Sequence, residues 1–137
     1  MKKTLFTTII VLMVLGAKAQ QPDTLQRSAA DTSIYKDVQQ APTFPGGITK
    51  FYYFLSRVIR YPANAREENI QGKVIIAMVV EKDGSLSHLK VAQHLADDID
   101  KEALRVMALC PKWNPGMQNG KVVRVAFSVP ISFTLAQ

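Results

Sequence analysis

Gly72-Lys73-Val74-Ile75-Ile76-Ala77-Met78-Val79-Val80-Glu81-Lys82-Asp83-Gly84-Ser85 is the stretch on which the fold turns. From Lys73 to Lys82 the chain is apolar on both faces, which suits a strand in the middle of a sheet. Asp83-Gly84 then gives a tight hairpin, because both residue types tolerate positive φ. The return strand, about Ser85 to Gln93, alternates, with Leu89 and Val91 inward and His88, Lys90 and Ala92 outward.

Downstream of the hairpin, Asp97 or Asp98 is expected to cap a helix that runs to about Leu109. Asp100 and Glu102 reinforce its positive N-terminal end. Ile99, Ala103, Val106, Met107 and Cys110 form the buried stripe. Pro111 stops the helix, Trp113-Asn114-Pro115-Gly116 makes a turn and Asn119-Gly120 another. The last segment carries the cleanest strand pattern in the chain. Val123, Val125, Phe127, Val129, Ile131, Phe133 and Leu135 face one way, and Arg124, Ala126, Ser128, Ser132 and Thr134 the other.

Upstream, Ala41-Pro42-Thr43-Phe44-Pro45-Gly46-Gly47 is a turn. Ile48, Phe51, Tyr52, Leu55, Val58 and Ile59 fall on one face of a helix that should end near Arg60, because Pro62 restricts Tyr61. A second short helix is expected from Pro62 to Asn69, with proline in its first turn.

These elements predict an α+β domain: a small three-stranded antiparallel sheet of order 2-1-3, with helices packed on one face. The last strand then lies at an edge, and Pro130 agrees, because proline removes a ladder donor. Such an edge either accepts an extended peptide through main-chain hydrogen bonds, or is protected by Pro130 or by a second copy of the chain.

The N-terminus reads as an address. Lys2 and Lys3 precede the apolar stretch Leu5–Leu15, and Ala17-Lys18-Ala19 supplies small residues where a signal peptidase reads. Residues 1–19 are expected to be a signal peptide, with an uncleaved signal anchor as the alternative; the run is short for a membrane span of about 20 residues. Residues 20–40 are polar and aperiodic, and are expected to form a flexible leader before a domain at 41–137. The chain has 137 residues, one domain's worth, and is 47% apolar and 20% charged. Its net charge of +6 falls to +3 once Lys2, Lys3 and Lys18 are gone, leaving 14 bases against 11 acids. With no block of bases and no basic-aromatic stripe, a nucleic-acid partner is disfavoured.

Enzyme chemistry finds little support. His88 and His94 lack a third ligand, so no metal site is expected. Asp97, Asp98 and Asp100 are explained by helix capping. The lone Cys110 can form no internal disulfide and reads as a small buried hydrophobe. No nucleophile motif or phosphate loop occurs, and no cofactor is expected.

Several motifs resemble, in order, those of the TonB C-terminal domain family. They are Tyr61-Pro62-Ala63-Asn64-Ala65-Arg66-Glu67 with Ile70–Val74, then Val80–Gly84, then Asp100 and Ala103 with Pro111–Gly116. Asn119–Val125 and Pro130–Phe133 complete the set, and Gln40–Gly47 is similar to the version in Bacteroidetes-type energy transducers. The resemblance covers about residues 38–136. It implies a periplasmic domain whose last strand pairs with the TonB box of an outer-membrane TonB-dependent receptor, in energy-coupled transport. Carried onto this chain, the peptide-binding residues are Val122, Val123, Arg124, Val125, Ala126, Phe127, Ser128 and Val129, and a proline at Val125 is expected to abolish pairing. Tyr61, Pro62, Ala65, Gly72, Asp83, Gly84, Trp113, Pro115 and Gly116 match motif positions with an architectural role. Full transducers also engage inner-membrane motor proteins through an N-terminal span, and an uncleaved N-terminus would allow that here. Three readings stay open: a receptor-docking binder exported to the periplasm, an inner-membrane-anchored transducer component, and an envelope adaptor or self-pairing homodimer.

Overall fold

The computed structural model describes residues 31–136, so the signal-peptide expectation for residues 1–19 lies outside the described residues. The elements are β1 (Ile34–Tyr35), α1 (Ile48–Val58), α2 (Ala63–Glu67), β2 (Gly72–Val80), β3 (Leu86–Gln93), α3 (Asp97–Ala108), β4 (Gly116–Gln118) and β5 (Lys121–Phe133).

The sheet differs from the expected three-stranded antiparallel arrangement of order 2-1-3. It has five strands and is mixed: the order is β1-β5-β2-β3, β4 pairs with β5, and β1 joins in parallel. The extra strands are two and three residues long, too short to show any period in sequence. The long ladder runs antiparallel and unbroken from Gly72 opposite Phe133 to Val80 opposite Val125. On the other side of β2, the pairing with β3 shifts register twice, between Ile75 and Ile76 and again between Ala77 and Val79, where His88 takes φ 51°. One extra residue is accommodated there, and Leu86 and Leu89 both pack against the core.

Residues 31–40 fall in the stretch read as a flexible leader, and here they lie along the end of β5. Ile34 pairs with Arg124 and Tyr35 with Val125. Farther on, Gln40 and Met117 exchange backbone bonds of 3.1 and 2.9 Å, and Thr43 and Asn114 bonds of 3.1 and 2.8 Å. The chain thus strings residues 34–43 along the segments 114–118 and 124–125.

Each helix follows its expected span with shifted ends. α1 stops at Val58, and Ile59 is extended, two residues before the expected end, as the chain straightens toward Pro62. Of its expected apolar face only Phe51 and Leu55 are fully buried. α2 is shorter than expected, because Asn69 turns left-handed at φ 55°. The cap of α3 is Ala96, with no side-chain cap, instead of Asp97 or Asp98. Asp98 still takes a first-turn amide, that of Ile99 at 2.8 Å, and Asp100 reaches back to the Leu95 N–H ahead of the helix at 3.1 Å.

The core lies between the helices and one sheet face. Phe51, Leu55, Ala65, Ile99, Val106 and Met107 meet Val74, Ile76, Val80, Ile131 and Phe133 there. One carboxylate is buried at its margin. Glu102 accepts the Arg60 N–H at 3.1 Å and pairs with the Arg105 guanidinium, which donates to the Val58 carbonyl at 2.9 Å. This link satisfies backbone groups at the α1–α2 corner and fixes α3 against it.

Candidate functional site: the outer flank of β5

β5 has two flanks. β2 occupies one from Val125 to Phe133. Elsewhere on the strand, β4 pairs with Lys121, Val122 and Val123 through a hairpin turned by Asn119 and Gly120, and β1 pairs with Arg124 and Val125. Of the eight expected peptide-binding residues, Val122, Val123, Arg124 and Val125 therefore already have such partners. Ala126, Phe127, Ser128 and Val129 pair only with β2, and no described strand covers their outer flank, nor that of the residues up to Phe133.

Pro130 indicates which backbone groups point outward. Successive residues of a strand send their N–H and C=O to alternate sides. A proline inside an unbroken ladder puts its ring nitrogen on the side where no bond is lost. Ala126, Ser128 and Ser132 share the parity of Pro130 and so present their amides to the open flank. Val125 has the opposite parity and bonds toward β2. A proline at Val125 would therefore damage the β2 ladder, and Ser128 is the informative position.

α1 forms the far wall of a channel beside this flank. Near its N-terminal half, a cavity of about 210 Å³ is walled by Phe44, Ile48, Phe51 and Trp113 against Phe127–Pro130. Near the C-terminal half of α1, a second cavity of about 370 Å³ is bordered by Leu55, Ser56 and Ile59 against Ser132–Thr134. Tyr52 lines both and stands between them. Ile48 and Tyr52 are 62% and 57% exposed.

Arg124, where β1 pairs with β5, ties the two strands to the end of β2. Its guanidinium grips Glu81 through two bonds of 2.7 and 3.0 Å and donates to the Thr32 carbonyl at 2.8 Å. The hydrogen bonds from Arg124 and Ser87 hold the Glu81 carboxyl below its usual range. No sequence spacing announced this pair, since Glu81 follows the end of β2 and Arg124 lies 43 residues on, in β5.

The motif positions are spread over the domain, and two of them, Tyr61 and Trp113, line the channel cavities. Tyr61 donates to the Ile70 carbonyl and packs edge-on against Phe133. Pro62 precedes α2, Ala65 is fully buried, and Gly72 opens β2. Asp83 accepts the Ser85 N–H at 2.9 Å and closes the hairpin turn. Gly84 accepts the Trp113 N–H at 2.8 Å. Trp113 packs among Phe44, Phe51 and Phe127. Pro115 leads into β4, whose Gly116 lies against Val125. Cys110 is half-buried near the indole of Trp113, and burial pushes its thiol up to about 11, against thiolate chemistry.

His88 is exposed beside Ser87, and His94 lies beyond the end of β3, bonded to Asp100. That carboxylate raises the pKa of His94. A raised folded value means that the stabilisation is complete below the unfolded value of about 6.5 and is lost as pH rises through the folded one. The urea midpoint should therefore fall between pH 5.5 and pH 8.5, and His94→Gln should flatten that fall. An unchanged slope in the variant would remove His94 as its source. Among the described residues, no group of three His, Cys, Asp or Glu side chains is placed to hold a metal. None of the described helices is long and apolar enough to cross a membrane.

A small α+β domain with an open strand flank beside an apolar channel defines a docking module. The chain belongs to the family of Gram-negative bacterial TonB protein C-terminal domains, whose pattern matches residues 57–135. Domains of this family are interaction domains of energy transducers, not enzymes, and they work in the periplasm. The chain is similar to NMR solution structures of two Helicobacter pylori TonB C-terminal domain fragments. Identity is 24% to each, with TM-scores of 0.48 and 0.47. The likeness covers 65% of this chain in both cases, and 80% and 94% of the two fragments. No curated protein matches the chain.

Proposed function

We propose that this domain binds the TonB box, an extended segment of an outer-membrane TonB-dependent receptor, by adding it as a strand to the outer flank of β5. The observation that carries the reading is the flank from Ala126 to Phe133, which offers main-chain groups and has no described partner strand. The pairing of β1 one step earlier on the same strand supports it, since that stretch of β5 already accepts extended chain in parallel. In this reading, residues 1–19 direct export, the domain acts in the periplasm, and the pairing serves energy-coupled transport across the outer membrane.

Ser128→Pro tests the reading. It removes an outward amide while leaving the β2 side of the ladder its bonds. Binding of a TonB-box peptide, followed by calorimetry, should weaken at least tenfold in a variant with a native circular dichroism spectrum. Undiminished binding by that folded variant would place the peptide elsewhere. A stable dimer with no peptide affinity would instead assign the flank to self-pairing.

A further inference from the structure

The channel beside β5 has a shape that selects among partner strands, beyond offering hydrogen bonds. We infer that Tyr52 divides it into two side-chain seats, and that it takes an extended receptor segment with a large apolar residue at i, a small residue at i+2 and a second bulky residue at i+4. This inference rests on the strand-addition reading above.

The spacing follows from strand geometry. Side chains at i and i+4 of a strand point the same way and stand about 13 Å apart. On β5 the first cavity is lined by Phe127–Pro130 and the second by Ser132–Thr134, stretches that include the core-facing Val129 and Phe133, four residues apart. A strand laid beside β5 keeps that rise, so alternate side chains on its core-facing side fall into the first cavity, onto Tyr52, and into the second. The tyrosine ring lines both cavities and is largely exposed, so it fills the middle position from the protein side. The seats differ in chemistry. The first is walled by Phe44, Ile48, Phe51 and Trp113 and suits an aliphatic or aromatic side chain. The second is lined by Leu55, Ser56, Ile59, Tyr61 and Phe133 and is less aromatic than the first.

The occupant is a foreign extended segment, the receptor strand of the reading above. β1 already lies along β5 at Arg124 and Val125, immediately before the open flank, so an added strand continues an existing row of pairings. The residues that line the two cavities carry no charged side chain, so the seats select by size and polarity.

The test uses the chain with synthetic nonapeptides that start with Glu and carry Leu at positions three and seven. One has Ala at position five and the other Phe. Calorimetry should show the Ala peptide binding about tenfold more tightly than the Phe peptide. Tyr52→Ala should erase that preference, and Ile48→Glu should weaken the Ala peptide about tenfold by placing a carboxylate in the apolar seat. Both side chains are exposed, so the variants should remain folded. Equal binding of the two peptides, lost together on Ser128→Pro, would overturn the seats while leaving strand addition standing. Failure of either peptide to bind, with retained affinity for a receptor segment of another pattern, would also overturn them. If nothing extended binds, both readings fall.

Discussion

Gly84→Ala should lower the unfolding free energy by about 3–5 kcal/mol. A Cβ at this position would stand 2.0 Å from the Trp113 carbonyl oxygen and 3.1 Å from its carbonyl carbon. The residue also sits at φ 87°, where side-chain-bearing residues are strained. Neither problem relaxes easily. The contact is backbone on backbone, and the Trp113 N–H bonds to the Gly84 carbonyl at 2.8 Å, so the β2–β3 hairpin and the tryptophan turn are fastened at this point. Urea unfolding would show the loss as a lower midpoint at unchanged slope. Gly84→Asn separates the two causes, because asparagine accepts the left-handed region but carries the same Cβ. A near-native Asn variant would mean that backbone conformation alone requires the glycine.

Trp113→Ala should cost a similar amount, about 3–5 kcal/mol. The indole is 5% exposed and fills the space where the entry turn, α1 and β5 converge. Its ring lies 5.6 Å from Phe44, 5.5 Å from Phe51 and 6.1 Å from Phe127, all in edge-to-face or steeply tilted arrangements. Such pairs add to simple burial. Truncation would merge the vacated space with the cavity beside Phe127–Pro130, so the surroundings could not close over it. Thermal or urea unfolding measures the loss, and a cost below about 1 kcal/mol would mean that the aromatic cluster holds together without its centre. Because Gly84 and Trp113 touch, the double variant should lose less than the sum of the two single losses.

Much of the domain was legible because its elements carry local period. β2, the Asp83-Gly84 turn, α3 and β5 follow from runs, alternation and breakers that lie within a dozen residues of each other. The parts that escaped are those whose cause is distant. Ile34–Tyr35 becomes a strand only because Arg124 and Val125 are there to receive it. The grip of Arg124 on Glu81 has no spacing signature, and neither has the bond by which Asp100 reaches back to the Leu95 N–H ahead of α3. The flank of β5 was anticipated as an edge through Pro130, yet its first half proved to have partners from β4 and β1. The role of α1 was hidden for a related reason. Ile48 and Tyr52 fit the apolar stripe of that helix by period, but the helix faces a channel there instead of the core.

The parallel pairing of Ile34 with Arg124 also sets an order of events as the chain folds. The segment around Ile34 has nothing to pair with until the last strand is in place. Closing a loop of about 90 residues is repaid only by contacts that exist once both ends are present. The β2–β3 hairpin can form at once from neighbouring residues, and β5 can then zip onto β2. Only after that does a surface exist on which Ile34 and Tyr35 can settle. The first of these segments along the chain is therefore the last to lock, and by the same argument the first to let go.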